Sequence, residues 1–181
     1  MKCKMIREEK IKFTTKWYKY SKYMIEKKDD KYYMLPDKNA KPRTYDPFEV
    51  KNQILKDLLV IGKEYNLNDN ELKDLFVLGF NHDIGYEYGN NSNHAHIGGE
   101  ILKRNNYKYW KEIYYHGHIN TEYTSLFLTI LNKADMQIDK YGNDVGYTKR
   151  LEDIKSRYGE NSTTYKNAKT LILNLRSENQ C

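Results

Sequence analysis

The sequence predicts a mainly α protein: a helical bundle with a short basic N-terminal extension that includes a small extended segment. Two observations lead there. From about residue 46 onward, apolar residues recur at three- and four-residue spacings, the period of an amphipathic helix, and rarely alternate as in a half-buried strand. Asn, Ser and Gly fall between these periodic stretches, where helix caps and stops belong.

Residues 6–28 read as a Lys-rich helix, with Trp17, Tyr20 and Met24 spaced for one face. Asp29 and Asp30 break it, and Lys31–Leu35 reads as a short extended piece ending at Pro36. The stretch from Pro36 to Pro47 holds all three prolines and reads as a linker. The extension is therefore expected to span residues 1–45 and the helical domain residues 46–181, with Asp46 capping a helix whose first residue is Pro47. Val50, Ile54, Leu55, Leu58, Leu59 and Ile61 mark that helix. Asn68 is a candidate cap for the next, whose inner face carries Leu72, Leu75, Phe76, Leu78 and Gly79. Gly85, Gly89 and an Asn run predict a loop. Short helical pieces follow at Ala95–Lys103 and Trp110–Tyr115, then a buried helix on Leu126, Phe127, Ile130, Leu131 and Ala134. After a turn-rich loop at Lys140–Gly146, a helix at Thr148–Tyr158 ends on Gly159, and Ser162 caps a last one reaching about Leu175.

At 181 residues the chain can bury a real core without staples. No apolar run approaches the roughly 18–20 residues of a membrane span, and the first residues lack the apolar stretch of a signal peptide. The two cysteines, Cys3 and Cys181, sit at opposite ends and form neither a disulfide framework nor a zinc ligand set. A reducing cytoplasm is the expected home, with no membrane partner. The net charge of +6 is uneven: residues 1–43 hold 14 Lys/Arg against 6 Asp/Glu. Lysines in a helix that also carries Glu ordinarily make a solvated face, so nucleic acid is the less favoured partner.

The ionisable residues are more informative. His82 lies four after Leu78 and Asp83 four after Gly79, so at about 100° per residue both are expected to point inward with the apolar stripe. Asp135, four after Leu131, behaves likewise. Inward-facing charges need partners, because an unpaired buried charge costs several kcal/mol. A divalent metal would satisfy all three, and mixed His/Asp sets suit Mn, Fe, Co, Ni or Zn. A lone inward His is most often a satisfied core residue, but here all five histidines (82, 94, 96, 116 and 118) fall within 37 positions. Four of them form the pairs His94-Ala95-His96 and His116-Gly117-His118. There is no H-E-x-x-H, G-x-S-x-G, P-loop or G-x-G-x-x-G motif.

Four ordered blocks resemble the HD-domain superfamily of metal-dependent phosphohydrolases. They are Leu78–Tyr86 around His82-Asp83, His94–Leu102 with its His followed four later by Gly98, Ile113–His118, and Leu131–Asp135 closing on Ala134-Asp135. The stretch Arg150–Ile154 with Arg157-Tyr158-Gly159 is similar to a C-terminal block of some bacterial members. The resemblance covers about two thirds of the chain. It implies an HD-like helical bundle in which His82, Asp83 and Asp135 hold a first metal. His94 and His116 would hold a second, with Asp83 bridging and His118 competing with His116. His96 matches no ligand position and would be a loop or substrate-facing residue. The chain departs from the pattern in one place: the superfamily places a His on the helix before the signature, where this sequence has Val50. Asn52, Glu49 or Asp46 could substitute.

The expected activity is metal-dependent hydrolysis of a phosphoester or phosphoanhydride, on a small phosphorylated substrate of the nucleotide class. The catalytic residue would be Asp83, with one or two divalent ions (Mn, Fe, Co, Ni, Mg or Zn). Lys103, Arg104, Lys140 and Arg150 are candidates for phosphate binding. The alternative is a degenerate HD protein that binds a nucleotide or a protein partner without turnover, motivated by Val50.

Overall fold

The computed structural model describes residues 23–28, 31–36, 48–49, 53–88, 93–119 and 122–177. The protein is mainly α, and its contacts divide it into two compact units, Met1–Asn81 and His82–Cys181.

In the first unit, β1 (Tyr23–Lys28), β2 (Lys31–Pro36) and β3 (Phe48–Glu49) form an antiparallel sheet in the order β1-β2-β3. The register pairs Ile25 with Met34, Lys28 with Lys31, and Met34 with Phe48. Two expectations are corrected here. Residues 23–28 are a strand and not the end of a helix; the rest of that expected helix lies outside the described residues. The helix reading rested on Lys and Glu content and on local spacing. A strand partner that begins three residues on leaves no mark on helical periodicity, while Tyr23 and Ile25 suit a strand as well as a helix. The helix expected from Pro47 begins instead at Gln53, because Phe48–Glu49 pair with β2. Val50 and Asn52 lie outside the described residues.

The unit continues with α1 (Gln53–Glu64) and α2 (Asp69–Asn81). α1 buries Ile54, Leu55, Leu58 and Leu59. It closes in a Schellman turn: the Leu67 amide donates to the Gly62 carbonyl (3.0 Å) and the Asn66 amide to that of Lys63 (2.9 Å), with Asn66 at φ 58°. Asn68 then caps α2 reciprocally. Its Oδ1 accepts from the Asn70 and Glu71 amides at 3.0 and 3.2 Å, and the Glu71 carboxylate accepts from the Asn68 amide at 2.9 Å. The two helices pack through Gly79, where a Cβ would stand 2.1 Å from Leu58 Cδ1.

In the second unit a 3-10 turn (Ile84–Glu87) is followed by α3 (His94–Arg104), α4 (Trp110–Tyr115), α5 (Leu126–Asp135), α6 (Gly146–Tyr158) and α7 (Thr163–Ser177). Ser125 caps α5 by accepting from the Leu128 amide at 3.1 Å, and Ser162 caps α7 by accepting from Tyr165 at the same distance. Gly159 ends α6 at φ 83°. The core includes Ile84, Ala95, Leu102, Ile113, Ile130, Leu131 and Ala134. A second cluster of Met136, Leu171, Ile172 and Leu175 takes in Tyr147 and Leu151 of α6.

Close packing without side chains joins the 3-10 turn to α3. A Cβ on Gly85 would fall 1.7 Å from the His94 carbonyl oxygen, so only glycine lets the two backbones approach this far. One step on, a Cβ on Gly99 would meet Tyr114 Cβ at 2.5 Å, and α3 lies correspondingly close to α4. No helix among the described residues is long and apolar enough to cross a membrane.

Candidate metal centre

Five ionisable side chains of the second unit converge, and each stands at the end of a structural element. His82 and Asp83 lead into the 3-10 turn, His94 opens α3, His116 follows α4 and Asp135 closes α5. Element ends are where backbone direction changes, so ends from separate parts of the chain can aim side chains at one point.

Asp83 is the hub. One carboxylate oxygen, Oδ2, lies 3.2 Å from His82 Nε2. The other, Oδ1, lies 3.7 Å from His94 Nε2 and 3.9 Å from His116 Nε2. His82 Nε2 is also 3.8 Å from Asp135 Oδ1, and the Nε2 atoms of His94 and His116 are 3.2 Å apart. Two imidazole nitrogens bound to one ion at about 2.1 Å stand roughly 3.0–3.4 Å apart for angles near 90–110°. The His94–His116 separation matches that span, and ligand atoms of Asp83, His94 and His116 all lie within 4.8 Å of one another. Imidazole and carboxylate donors on these elements could thus hold a divalent transition metal.

The expectation that Asp83 points inward with the helical stripe is corrected: its side chain is 49% exposed, whereas that of His82 is 9% exposed. α2 ends at Asn81, and Asp83 sits at φ −96° and ψ 9°, so the 100° phase no longer applies to it. Asp135 is 18% exposed.

His116 is the most constrained donor. Its side chain is 1% exposed, and its Nδ1 donates to the Ile113 carbonyl at 2.6 Å. A proton on Nδ1 leaves the Nε2 lone pair directed at His94 and Asp83, the arrangement typical of metal-binding imidazoles. The next residue, Gly117, turns at φ 70°, and its amide donates to Asn132 Oδ1 on α5 at 2.8 Å. Buried Glu112 ties down the following segment by accepting from Tyr123 and Ser125 hydroxyls at 2.5 and 2.9 Å.

Electrostatics follow from this enclosure. Burial, reinforced by the neighbouring His82 and His94, lowers the His116 pKa to about 3. Desolvation pushes the Asp83 carboxyl up, but the His82, His116 and His94 imidazoles outweigh it and hold the group well below the usual carboxylate range. Burial pushes the Asp135 carboxyl up, opposed by His82. Tyr86 stacks on His94 with ring centres 3.9 Å apart and planes 6° from parallel. Burial and the charges of Asp83 and Asp135 raise its hydroxyl to about 12.

The remaining candidates are placed differently. His96 and His118 form a column with Tyr114, with centroid spacings of 4.5 Å (His96–Tyr114) and 5.2 Å (His96–His118). His116, and not His118, meets His94. Lys103 is exposed, 3.8 Å from Glu100 and over the Trp110 ring; Arg104 and Lys140 are also exposed. Arg150 is different: its side chain is 15% exposed, and its charge acts on both Asp135 and Tyr86. The sequence reasoning placed Gly85 and Tyr86 in the block around His82-Asp83 but gave neither a part in the metal centre, and it passed over Asn132. The glycine next to His82-Asp83 and the apolar-flanked Asn on a core helix were the available signals.

Compared with protein-family models, with curated proteins and with solved structures, the chain matches none of them.

Proposed function

We propose that the protein is a metal-dependent phosphohydrolase acting on a phosphoester or phosphoanhydride of the nucleotide class, in keeping with its resemblance to the HD-domain superfamily. The observation that carries this reading is the division of Asp83, one oxygen toward His82 and the other toward His94 and His116. A carboxylate so divided can serve two adjacent ions, one held with His82 and Asp135 and the other with His94 and His116. Bound divalent metal would bring the pKa of a coordinated water toward neutrality and clamp phosphate oxygens. Asp83 would orient that water, and His116 would stay neutral and available as a donor. Tyr86, kept protonated, can donate a hydrogen bond beside His94.

The test is phosphate release from a nucleotide panel with Mn-loaded protein. Release by the wild type, falling to background in Asp83→Ala, is expected; release unchanged by that substitution would sink the reading. A second reading is favoured by Val50 standing where the superfamily has its first His. It makes the chain a binder without turnover, and elemental analysis discriminates. One weakly held ion or none, with ligand binding retained, supports the binder.

A further inference from the structure

α4 buries Glu112 and Ile113, whereas its Trp110, Tyr114 and Tyr115 are only half-buried. Trp110 and Tyr114 are one turn apart, and their rings meet edge to face at 6.2 Å. Because α3 presents Gly99 to Tyr114, that ring can lie against α3 and stack on His96 at 4.5 Å. His96 in turn stacks on His118 at 5.2 Å. Tyr115 meets Tyr114 at 4.9 Å and stacks on Tyr123 at 5.6 Å. Six rings thus form one unbroken series of contacts, with His96 exposed and the other five half-buried. Lysines lie over them: Lys103 Nζ is 4.6 Å from the Trp110 ring centre, and Lys111 Nζ is 5.8 Å from it and 5.2 Å from that of Tyr123. Between residues 100 and 123, Lys103, Arg104, Lys108 and Lys111 are all exposed. Of the glutamates there, Glu112 is buried, Glu100 stands 3.8 Å from Lys103, and Glu122 accepts from the Tyr115 hydroxyl at 2.9 Å. Flat rings interleaved with surplus cations complement bases strung on phosphates. An acidic peptide would use the lysines and leave the rings idle, and an apolar partner would strip water from the cations without replacing it.

We infer that this aromatic strip binds single-stranded nucleic acid, with bases stacking on its rings and phosphates drawing Lys103 and Lys111 toward them. Every base has a π face, so such a surface takes single strands with little sequence preference, whereas a duplex hides those faces. The strip runs up to the candidate metal centre, since His96 and His118 each stand two residues beyond His94 and His116. The inference goes beyond the phosphohydrolase reading and does not depend on it, because stacking needs no metal.

The probe is a fluorescently labelled strand of about 12 nucleotides, within the site size of such surfaces. It is prepared as oligo-dT and as oligo-U and titrated by anisotropy against the full-length protein with metal chelated. Wild-type binding that weakens as salt rises is expected. Trp110→Ala should weaken it roughly 5- to 150-fold, the scale for losing one stacked base; Trp110→Phe, which keeps a ring, should lose less. Lys111→Gln should flatten the slope of log affinity against log salt by about 0.7, one phosphate contact on a single strand. If Trp110→Ala does not fold, Tyr115→Ala is measured in its place. Tyr141→Ala is the control and should bind as the wild type: it removes a 77% exposed ring that lies 4.9 Å from Lys140 Nζ and outside the strip. No single-strand binding by the wild type, wild-type affinity in the folded alanine variants of the strip, equal loss in Tyr141→Ala, or equal affinity for a duplex would each overturn the inference. So would a change of oligomeric state in Trp110→Ala with oligonucleotide affinity intact, which would make the strip a contact between copies. Binding that depends on Trp110 in a protein that hydrolyses no nucleotide would leave the strip standing and remove the hydrolase reading.

Discussion

Gly85→Ala is the most economical perturbation of the site, because it adds one methyl group at a residue that carries no chemistry. The added Cβ would lie 1.7 Å from the His94 carbonyl oxygen, 2.6 Å from its carbonyl carbon and 2.8 Å from the Gly98 amide nitrogen. Real Cβ contacts essentially never fall under 3.0 Å, so the turn and the start of α3 must separate by about 1.3 Å. All three obstructing atoms are backbone, so no side chain can swing aside. Metal coordination tolerates errors of only about 0.2 Å in ligand position, and His94 is the residue displaced. We expect divalent-metal affinity to fall at least about 10–100-fold, the scale for disturbing the supports of a metal ligand. Overpacking should cost about 1–3 kcal/mol of stability. Competition with a fluorescent chelator reads the first effect and denaturant unfolding the second. Gly98→Ala is the internal control, since its nearest contacts, 3.2–3.3 Å, require shifts of only tenths of an ångström. Wild-type metal affinity in Gly85→Ala, or a larger loss in Gly98→Ala, would refute the reasoning.

Further outcomes follow from the same geometry. Asn132→Ala removes the acceptor for the Gly117 amide; it should cost about 1–3 kcal/mol for the orphaned donor and weaken metal binding through His116, both measurable by unfolding with and without Mn. Burial lowers the His116 pKa from 6.5 to about 3, so the unfolded chain takes up a proton that the folded chain refuses. His116 should therefore make the metal-free protein progressively less stable as pH falls from about 6.5 towards 3, and urea titrations of His116→Gln should lose that slope. Gly159→Ala, at φ 83° and ψ 153°, forces a side chain into a region nearly reserved for glycine; a loss of about 1–3 kcal/mol is expected, with metal affinity unaffected.

Much of the helical framework was legible without coordinates because its signals are local. Asn68 and Ser162 announce helix starts through side chains that satisfy amides two or three residues away. Trp110–Tyr115 and Leu126–Asp135 stand where the apolar period puts them. The clustering of histidines, and their company of Asp83 and Asp135, was visible for the same reason: composition and order need no geometry.

What required the tertiary structure is whatever depends on a turn or on a partner distant in sequence. Whether 23–28 is helix or strand was settled by β2, since both conformations suit its residues and only pairing breaks the tie. His116 and His118 differ by two positions, but the turn at Gly117 sends one ring to His94 and the other to His96. Both His82 and Asp83 lie beyond the end of α2 at Asn81, so helical phase did not govern either; His82 is buried all the same, and Asp83 is half exposed. Arg150 stands apart from three other basic residues for a reason absent from the order of amino acids: its Nε is buried and unpartnered. Amino-acid order determines which groups are available and where helices start and stop. Burial and hydrogen-bond satisfaction are properties of the packed chain, and they decide which of those groups can meet.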